Sequence, residues 1–517
     1  VVNEKLNGNL EIEDIQFRPF EGGLGFNFTM TYVKLTDSLY KVHATPFLNV
    51  EAIHITLDLS GIYKGDYRIK ELVLKNGAIR AFVQKDGYTN ASIFRSSNKP
   101  KKSKPGEGAD VLTKLGVMRF VNLAVSYNDS VTGKGYSVVL RDASNRVTQT
   151  DSTTNANFEG NVFYEGLRFN PEKGSFLANQ ETKMSALVGY NQEKKILTVY
   201  PSKLTSGLND DINISGVFTL KDTLHPFTVN FQSKGIRVEN ALPLLPKVIR
   251  DQIDAMGVKA LVETDVMLVG RKKGTKPYVK LHFKTKPFTY KVKIGALQNV
   301  VAEGYYTNRG DTLIEPGPTN AKLHAPGVVG YFGKIPFKVD FVINNFVDPI
   351  ARLEGMIKAD SSNLNNLVDS TKYRFRTGTA AIDFHFNGSL KKFYDASKDN
   401  FNGKLWGKLS LRNIGIDNIP RGIKLRKVKG DFNFNESAFV FSNLSLSDGL
   451  NALYLRGKVI DLIPYLFGSP KPLRASVNIN IPTWRLNWLE PLLAVRDTKT
   501  RRKGKQMKLS ELLDDAI

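Results

Sequence analysis

No cysteine occurs in the 517 residues, which excludes disulfides, thiolate metal ligands and a cysteine nucleophile. Long apolar runs are missing too: none approaches the roughly 18 residues that a membrane-spanning helix needs, and no signal peptide is visible. Histidine is scarce, and His43, His54, His225, His282, His324 and His385 are scattered singly. Neither HExxH, GxSxG nor a Walker lysine motif is present, so an enzymatic reading has no residue to rest on. No metal and no cofactor are implied. Gly22-Gly23-Leu24-Gly25 lacks the following helix that a phosphate loop requires and reads as a hairpin turn. Asp210-Asp211 lacks the spacing of a calcium loop.

What the chain does have is positive charge. Its 73 Lys and Arg against 50 Asp and Glu give a formal +23, which predicts attraction to something anionic: nucleic acid, lipid headgroups or lipopolysaccharide. Apolar residues make up 41%, enough for a folded body. The first residue is Val1 rather than methionine, which predicts that an N-terminal segment has been removed.

Alternation organises the rest. In Phe26-Asn27-Phe28-Thr29-Met30-Thr31-Tyr32 every even position is apolar and every odd one polar, so an extended chain sends one kind of side chain to each face. Ile53 to Leu59 and Ile79 to Gln84 repeat the pattern, as do Ile212 to Leu220, Tyr278 to Lys286, Phe288 to Ile294 and Phe337 to Ile343. Further strands are predicted at Ala381–Phe386, Leu405–Leu411, Gly430–Phe434, Phe439–Leu446, Leu453–Val459 and Val477–Ile481. The fold expected is mainly β: a long, twisted antiparallel sheet curled into an elongated apolar groove, with a few short amphipathic capping helices. At about 4.8 Å per strand, 25 to 30 strands would reach on the order of 120 Å. The residues assigned to the groove are Phe26, Phe28, Met30, Ile53, Ile55, Leu57, Phe283, Tyr290, Phe341, Phe384, Phe434 and Phe441. His54, His282 and His385 fall at outward positions.

Punctuation divides the chain into a β module over 1–96, a basic flexible loop over 97–110, a β module over 111–240, an amphipathic helix over 241–257, β-groove modules over 258–400 and 401–495, and a basic linker with a short helix over 496–517. In the loop, Lys99, Lys101, Lys102 and Lys104 are candidates for headgroup contact, although a solvated linker is the plainer reading. The helix is read from Leu244, Leu245, Val248, Ile249, Ile253 and Met256 at helical spacing. A strand, a kink and a leucine-bearing helix recur from Val229, Gly355 and Val477, roughly 120 residues apart, far beyond a usual solenoid period. Base stacking over a basic groove needs aromatics and cations on one surface. Between Phe283 and Tyr290 they fall on opposite faces, which argues against nucleic acid.

Three segments carry a family resemblance: Leu6 to Ile15, Ile69 to Phe82 with Asp86 to Asn90, and Gly403 to Leu462. In order and form they resemble the AsmA-like family, related to TamB and to the bridge-like lipid-transfer proteins. The resemblance implies a periplasmic body, anchored to the inner membrane by an N-terminal helix that this chain does not contain, with phospholipids and membrane surfaces as partners and other envelope proteins as further ones. Asp37-Ser38-Leu39, Asp222-Thr223-Leu224 and Asp311-Thr312-Leu313 resemble periplasmic O-glycosylation sites. Two functions stand side by side: a non-enzymatic lipid groove of the cell envelope, and a structural or protein-binding scaffold whose apolar faces pack on one another.

Overall fold

The computed structural model describes residues 6–19, 26–58, 68–94, 115–150, 152–170, 174–176, 178–206, 210–220, 226–242, 250–251, 254, 257–270, 276–292, 295–389, 394–395, 400–462, 465 and 473–482. The chain divides into two compact units, Val1–Pro277 and Tyr278–Ile517, a division that falls inside the module expected over 258–400. Both units are mainly β, as the alternation requires.

In the first unit the strands are β1 (Gly8–Glu11), β2 (Asp14–Pro19), β3 (Phe26–Asp37), β4 (Leu48–Leu57), β5 (Ile69–Val83), β6 (Leu115–Asp129), β7 (Lys134–Gln149), β8 (Thr153–Asn170), β9 (Gly174–Phe176), β10 (Gln180–Asn191), β11 (Ile196–Ser206), β12 (Asp210–Thr219), β13 (Phe227–Arg237) and β14 (Leu261–Gly270). Helix α1 (Tyr40–His43) follows β3, and α2 (Val238–Ala241) follows β13. Pairing follows chain order from β3 through β8 and from β10 through β14. Strand β8 also pairs with β10, while β1 and β2 share one edge of β3. One pairing corrects the antiparallel expectation: β5 and β6 run parallel. Parallel neighbours need a connection of a dozen or more residues, and the chain between Val83 and Leu115 is long enough to supply it.

The second unit holds β15 (Tyr278–Thr285), β16 (Phe288–Val292), β17 (Gly295–Val301), β18 (Glu303–Thr307), β19 (Lys322–Phe332), β20 (Ile335–Asn344), β21 (Ile350–Asp360), β22 (Tyr373–Ser389), the small pair β23 (Tyr394–Asp395) and β24 (Asn400–Phe401), then β25 (Gly403–Asn418), β26 (Ile423–Asn435), β27 (Ala438–Ser447), β28 (Ala452–Ile460) and β29 (Arg474–Asn480). From β19 to β22, and again from β25 to β29, each strand is antiparallel to the next, with β22 joined to β25. Helix α3 (Ser361–Asn365) follows β21. Among the described residues, β2 and β29 are open edges with a neighbour on one side only.

The strands are too long for one unbroken alternation. On β3 the apolar side chains are Phe26, Phe28 and Met30, then Val33 and Leu35; the phase changes at Tyr32, whose φ is 47°. Asn76 (φ 51°) resets β5 and Asn122 (φ 48°) resets β6 in the same way. The three lie in a line across the sheet, where Asn76 Nδ2 donates to Glu51 Oε2 at 2.7 Å and Asn122 Nδ2 donates to Asn76 Oδ1 at 3.5 Å. Asparagine tolerates the left-handed region because its short amide bonds locally. Straddling the resets, Val33, Val50 and Leu123 on one side and Ile53 and Leu74 on the other form a buried cluster. Asn413 (φ 53°) plays the same part on β25, ahead of Ile414 and Ile416.

One end of the first unit's opening strands is closed by short elements. Ile93 of a 3-10 turn (Asn90–Phe94) is buried where a side chain on Gly8 would stand. Buried Asn90 accepts from the Phe82 amide at 3.0 Å and donates to the Arg80 carbonyl at 2.7 Å. His43 Nδ1 accepts the Thr45 N–H, so its Nε2 donates to Asp37 at 2.8 Å, and the Tyr88 hydroxyl donates to the same carboxylate.

The strand-then-helix repeat is present at its first two sites: β13 leads into α2, and β21 into α3. At the third, β29 is a strand and its following helix lies outside the described residues. So do Leu244, Leu245, Val248, Ile249, Ile253 and Met256 of the expected amphipathic helix, the basic residues Lys99, Lys101, Lys102 and Lys104, and the segment over 496–517.

Two measurements test this account. Asn122→Val forces a β-branched residue into the left-handed region and is expected to lower unfolding free energy by about 1–2 kcal/mol in chemical denaturation, whereas Asn122→Gly is expected to cost less. Burial raises the Tyr164 hydroxyl above a phenol's ordinary 10.0, so below that value both states hold the proton and stability is at its full level. As pH climbs past 10.0 the unfolded chain ionises first and stability falls. Tyr164→Phe is expected to flatten this alkaline loss in denaturation curves at pH 9 and 11.

Candidate functional site

Register decides which side chains share a face, because directly opposed residues point the same way. Six of the predicted groove residues are direct partners: Phe26 with Leu57, Phe28 with Ile55, and Met30 with Ile53. The row through Phe28 extends on both sides, as Phe17–Phe28–Ile55–Leu72–Met118 across β2 to β6. Next to it on the opposite face runs Gln16–Thr29–His54–Val73–Arg119. Here Thr29 Oγ1 lies 2.9 Å from His54 Nδ1, and Arg119 pairs with Glu71 at 3.7 Å. Burial, then the Lys75 charge, holds the His54 imidazole below its ordinary value of 6.5.

The second unit repeats the division. Phe341–Leu353–Phe386–Leu405 is one row, and Phe384–Gly407–Phe434–Phe439–Val459 another. Phe434 and Phe439 stack at 4.9 Å, while Phe441 pairs with Phe432 at 5.6 Å. Phe283 faces Gly304, and Tyr290 faces Leu297. Behind the rings runs Glu354–His385–Trp406–Asn435, on the other face. Cross-strand ion pairs belong to that wet side: Lys284 with Glu303 at 3.1 Å, and Arg412 with Asp431 at 2.7 Å. Such exposed pairs contribute little stability, but they mark the side that faces water.

The twelve predicted residues are not equally covered. Ile53 (8% exposed), Phe434 (9%) and Phe441 (6%) are buried; the other nine are half-buried. Ile53 belongs to the packed cluster around Val33 and Leu123, with Met30 and Ile55 against it, so at that level side chains fill the face. Phe341 packs against buried Ala351 and Phe386. Toward β2 the cover thins: Ile15 is 59% and Phe17 51% exposed, although Phe17 meets the rings of Phe26 and Phe28 at 5.6 and 4.9 Å.

Glycine shapes this face. A Cβ on Gly355 would stand 2.4 Å from the Phe384 ring, and one on Gly407 would stand 2.5 Å from Phe434 and 2.2 Å from the Asp383 carbonyl oxygen. The rings therefore lie down over bare backbone rather than standing away from the sheet, the arrangement by which an aromatic shields a cross-strand glycine.

Phe17, Phe120, Phe218, Phe227, Phe432 and Phe439 share the apolar side and were not among the predicted groove residues. Their signal was the same period of two: Ile15-Gln16-Phe17, Met118-Arg119-Phe120 and Phe432-Asn433-Phe434 all alternate. Comparison with family models, curated proteins and solved structures finds no match. The class defined by fold and face is a β-sheet protein with cross-strand apolar rows on one side of the sheet in each unit.

Gly407→Ala is expected to destabilise by about 1–3 kcal/mol, the usual range for overpacking, because backbone must move. Gly235→Ala, where a Cβ would meet nothing closer than 3.6 Å, is expected to be near neutral in the same denaturation assay.

Proposed function

We propose that the chain is a non-enzymatic lipid-binding protein whose apolar sheet face holds acyl chains, carrying or bridging phospholipids between the inner and outer membranes of a Gram-negative envelope. The supporting observation is the half-burial of Phe26, Phe28, Leu57, Phe283, Tyr290 and Phe384, on the side opposite the charged pairs. A face meant only for internal packing would be covered by a second layer. An acyl chain of about 16 carbons gains on the order of 10 kcal/mol from apolar cover, at roughly 0.8 per methylene, so rows that continue from strand to strand fit its need. The periplasmic setting and the inner-membrane anchor rest on the AsmA-like resemblance alone.

A scaffold reading draws on a different observation, the packed clusters around Leu123 and Ile416, where side chains supply their own cover. Organic extraction of the purified protein followed by mass spectrometry separates the two. The lipid reading expects co-purifying phospholipid, reduced several-fold by Phe28→Asp and left near wild type by Thr29→Asp on the outer face, with thermal melts confirming that both variants fold. A lipid-free protein, or equal effects of the two substitutions, would favour the scaffold.

A further inference from the structure

The second unit contains a cleft lined by residues of α3, the start of β22 and the turn before β20. It opens beside α3, has a volume of about 610 Å³ and is lined in part by Lys334, Ser361, Ser362, Ser370, Arg374 and Arg376. Three cationic residues and four that carry hydroxyls, Tyr373 being the fourth, line the space, and no carboxylate is among its described lining residues. Its walls are tied together. Asn365 donates to the Phe375 carbonyl and accepts from the Phe375 amide, both at 2.8 Å, fixing α3 to β22. Asn363 donates to the Lys334 carbonyl at 2.8 Å, fixing the helix to the turn between β19 and β20. The Asp360 side chain accepts the Asn363 amide at 2.8 Å and caps the same helix.

Each cation is placed by its strand or turn. Arg374 and Arg376 are separated by Phe375, so they share one side of β22 while Phe375 joins the apolar cluster of Tyr373, Ile414 and Ile416. Arg376 spends its Nε on Asp417 at 2.8 Å, which orients the guanidinium. The fork of an arginine matches the oxygens of a phosphate, and a lysine adds a point charge. Leu364 of α3 and Val368 of the turn after it pack against the same cluster, so the cleft adjoins the end of the apolar face.

We propose that this cleft binds a phosphate-bearing anion through Lys334, Arg374 and Arg376, with the serine hydroxyls as additional donors. As the polar end of a lipid whose chains lie on the apolar face, the ligand rests on the function proposed above; as a free phosphate ester it does not.

Calorimetric titration of the full chain at constant ionic strength, set with sodium chloride, tests both sources using glycerol 3-phosphate and dihexanoyl phosphatidylglycerol below its micellar concentration. The wild type is expected to bind at least one probe, and Lys334→Gln with Arg374→Gln is expected to weaken that binding at least tenfold. Removing the same net charge through Lys424→Gln with Lys427→Gln, outside the cleft, is expected to leave it within twofold. Arg374→Lys with Lys334 intact is expected to restore most of the affinity, and thermal melts show whether each variant folds. No binding of either probe by the wild type, or equal loss in the two double variants, overturns the site. If both probes bind with the same affinity and extraction finds no phospholipid, the lipid reading of the apolar face fails while the cleft stands as a phosphate-ester site. Tighter binding of the lipid, lost on Leu364→Asp beside the cleft, joins the two.

Discussion

Everything in this protein depends on keeping one side of a long sheet apolar. A strand alternates with a period of two, so a slip of one residue exchanges the faces. Strands here run to 18 residues, as in β8, and ladders of that length accumulate twist that neighbours must share. The left-handed residues at Tyr32, Asn76 and Asn122 absorb the mismatch at one level of the sheet. They let each strand change phase without losing its side, and the same solution recurs at Asn413. The faces on either side of these positions are as distinct as salt bridges and phenyl rings can make them.

Cover for the apolar side comes from three sources. At the closed end of the first unit it is side chains from neighbouring strands, helped by Ile93 and the Asp37 network. Over Tyr373 and Ile414 it is Leu364 of α3 with Val368 of the turn that follows. Along the rows of Phe26, Phe283 and Phe384 it is partial, and rings laid over glycines keep the floor low. Filled at some levels and open at others, the face accommodates both a core and a ligand. This mixture is why the lipid and scaffold readings each find support, and why occupancy rather than architecture separates them.

Much of this was legible in the chain. Phe26 to Met30 and Ile53 to Leu57 alternate so regularly that the apolar face of each followed from pattern alone, while the register that pairs them did not. Three kinds of feature were not. The parallel junction of β5 and β6 depends on how a connection routes, and routing leaves no periodic trace. The phase changes were hidden because an asparagine inside a strand looks like any polar position; only its φ shows that it has shifted the register. The burial of Ile53, against the half-exposure of Leu57 two pairs away, reflects neighbours distant in sequence, and a period of two describes direction without describing cover. The cleft beside α3 left a fainter mark in Tyr373-Arg374-Phe375-Arg376, an alternation that lies outside the strands the pattern assigned.

The order of pairing has a consequence for how such a molecule changes over evolutionary time. From β6 to β8 and from β19 to β21, each strand lies beside the one that precedes it in the chain, so a hairpin is both a contiguous piece of sequence and a contiguous piece of surface. Duplicating or deleting one lengthens or shortens the apolar face by two strands, and preserves the in-and-out sense of all the others. A packed globular core offers no comparable freedom, since each insertion there must be matched from several directions. Reach in this architecture is a quantity that point mutation hardly touches and that copying of hairpins adjusts in fixed steps.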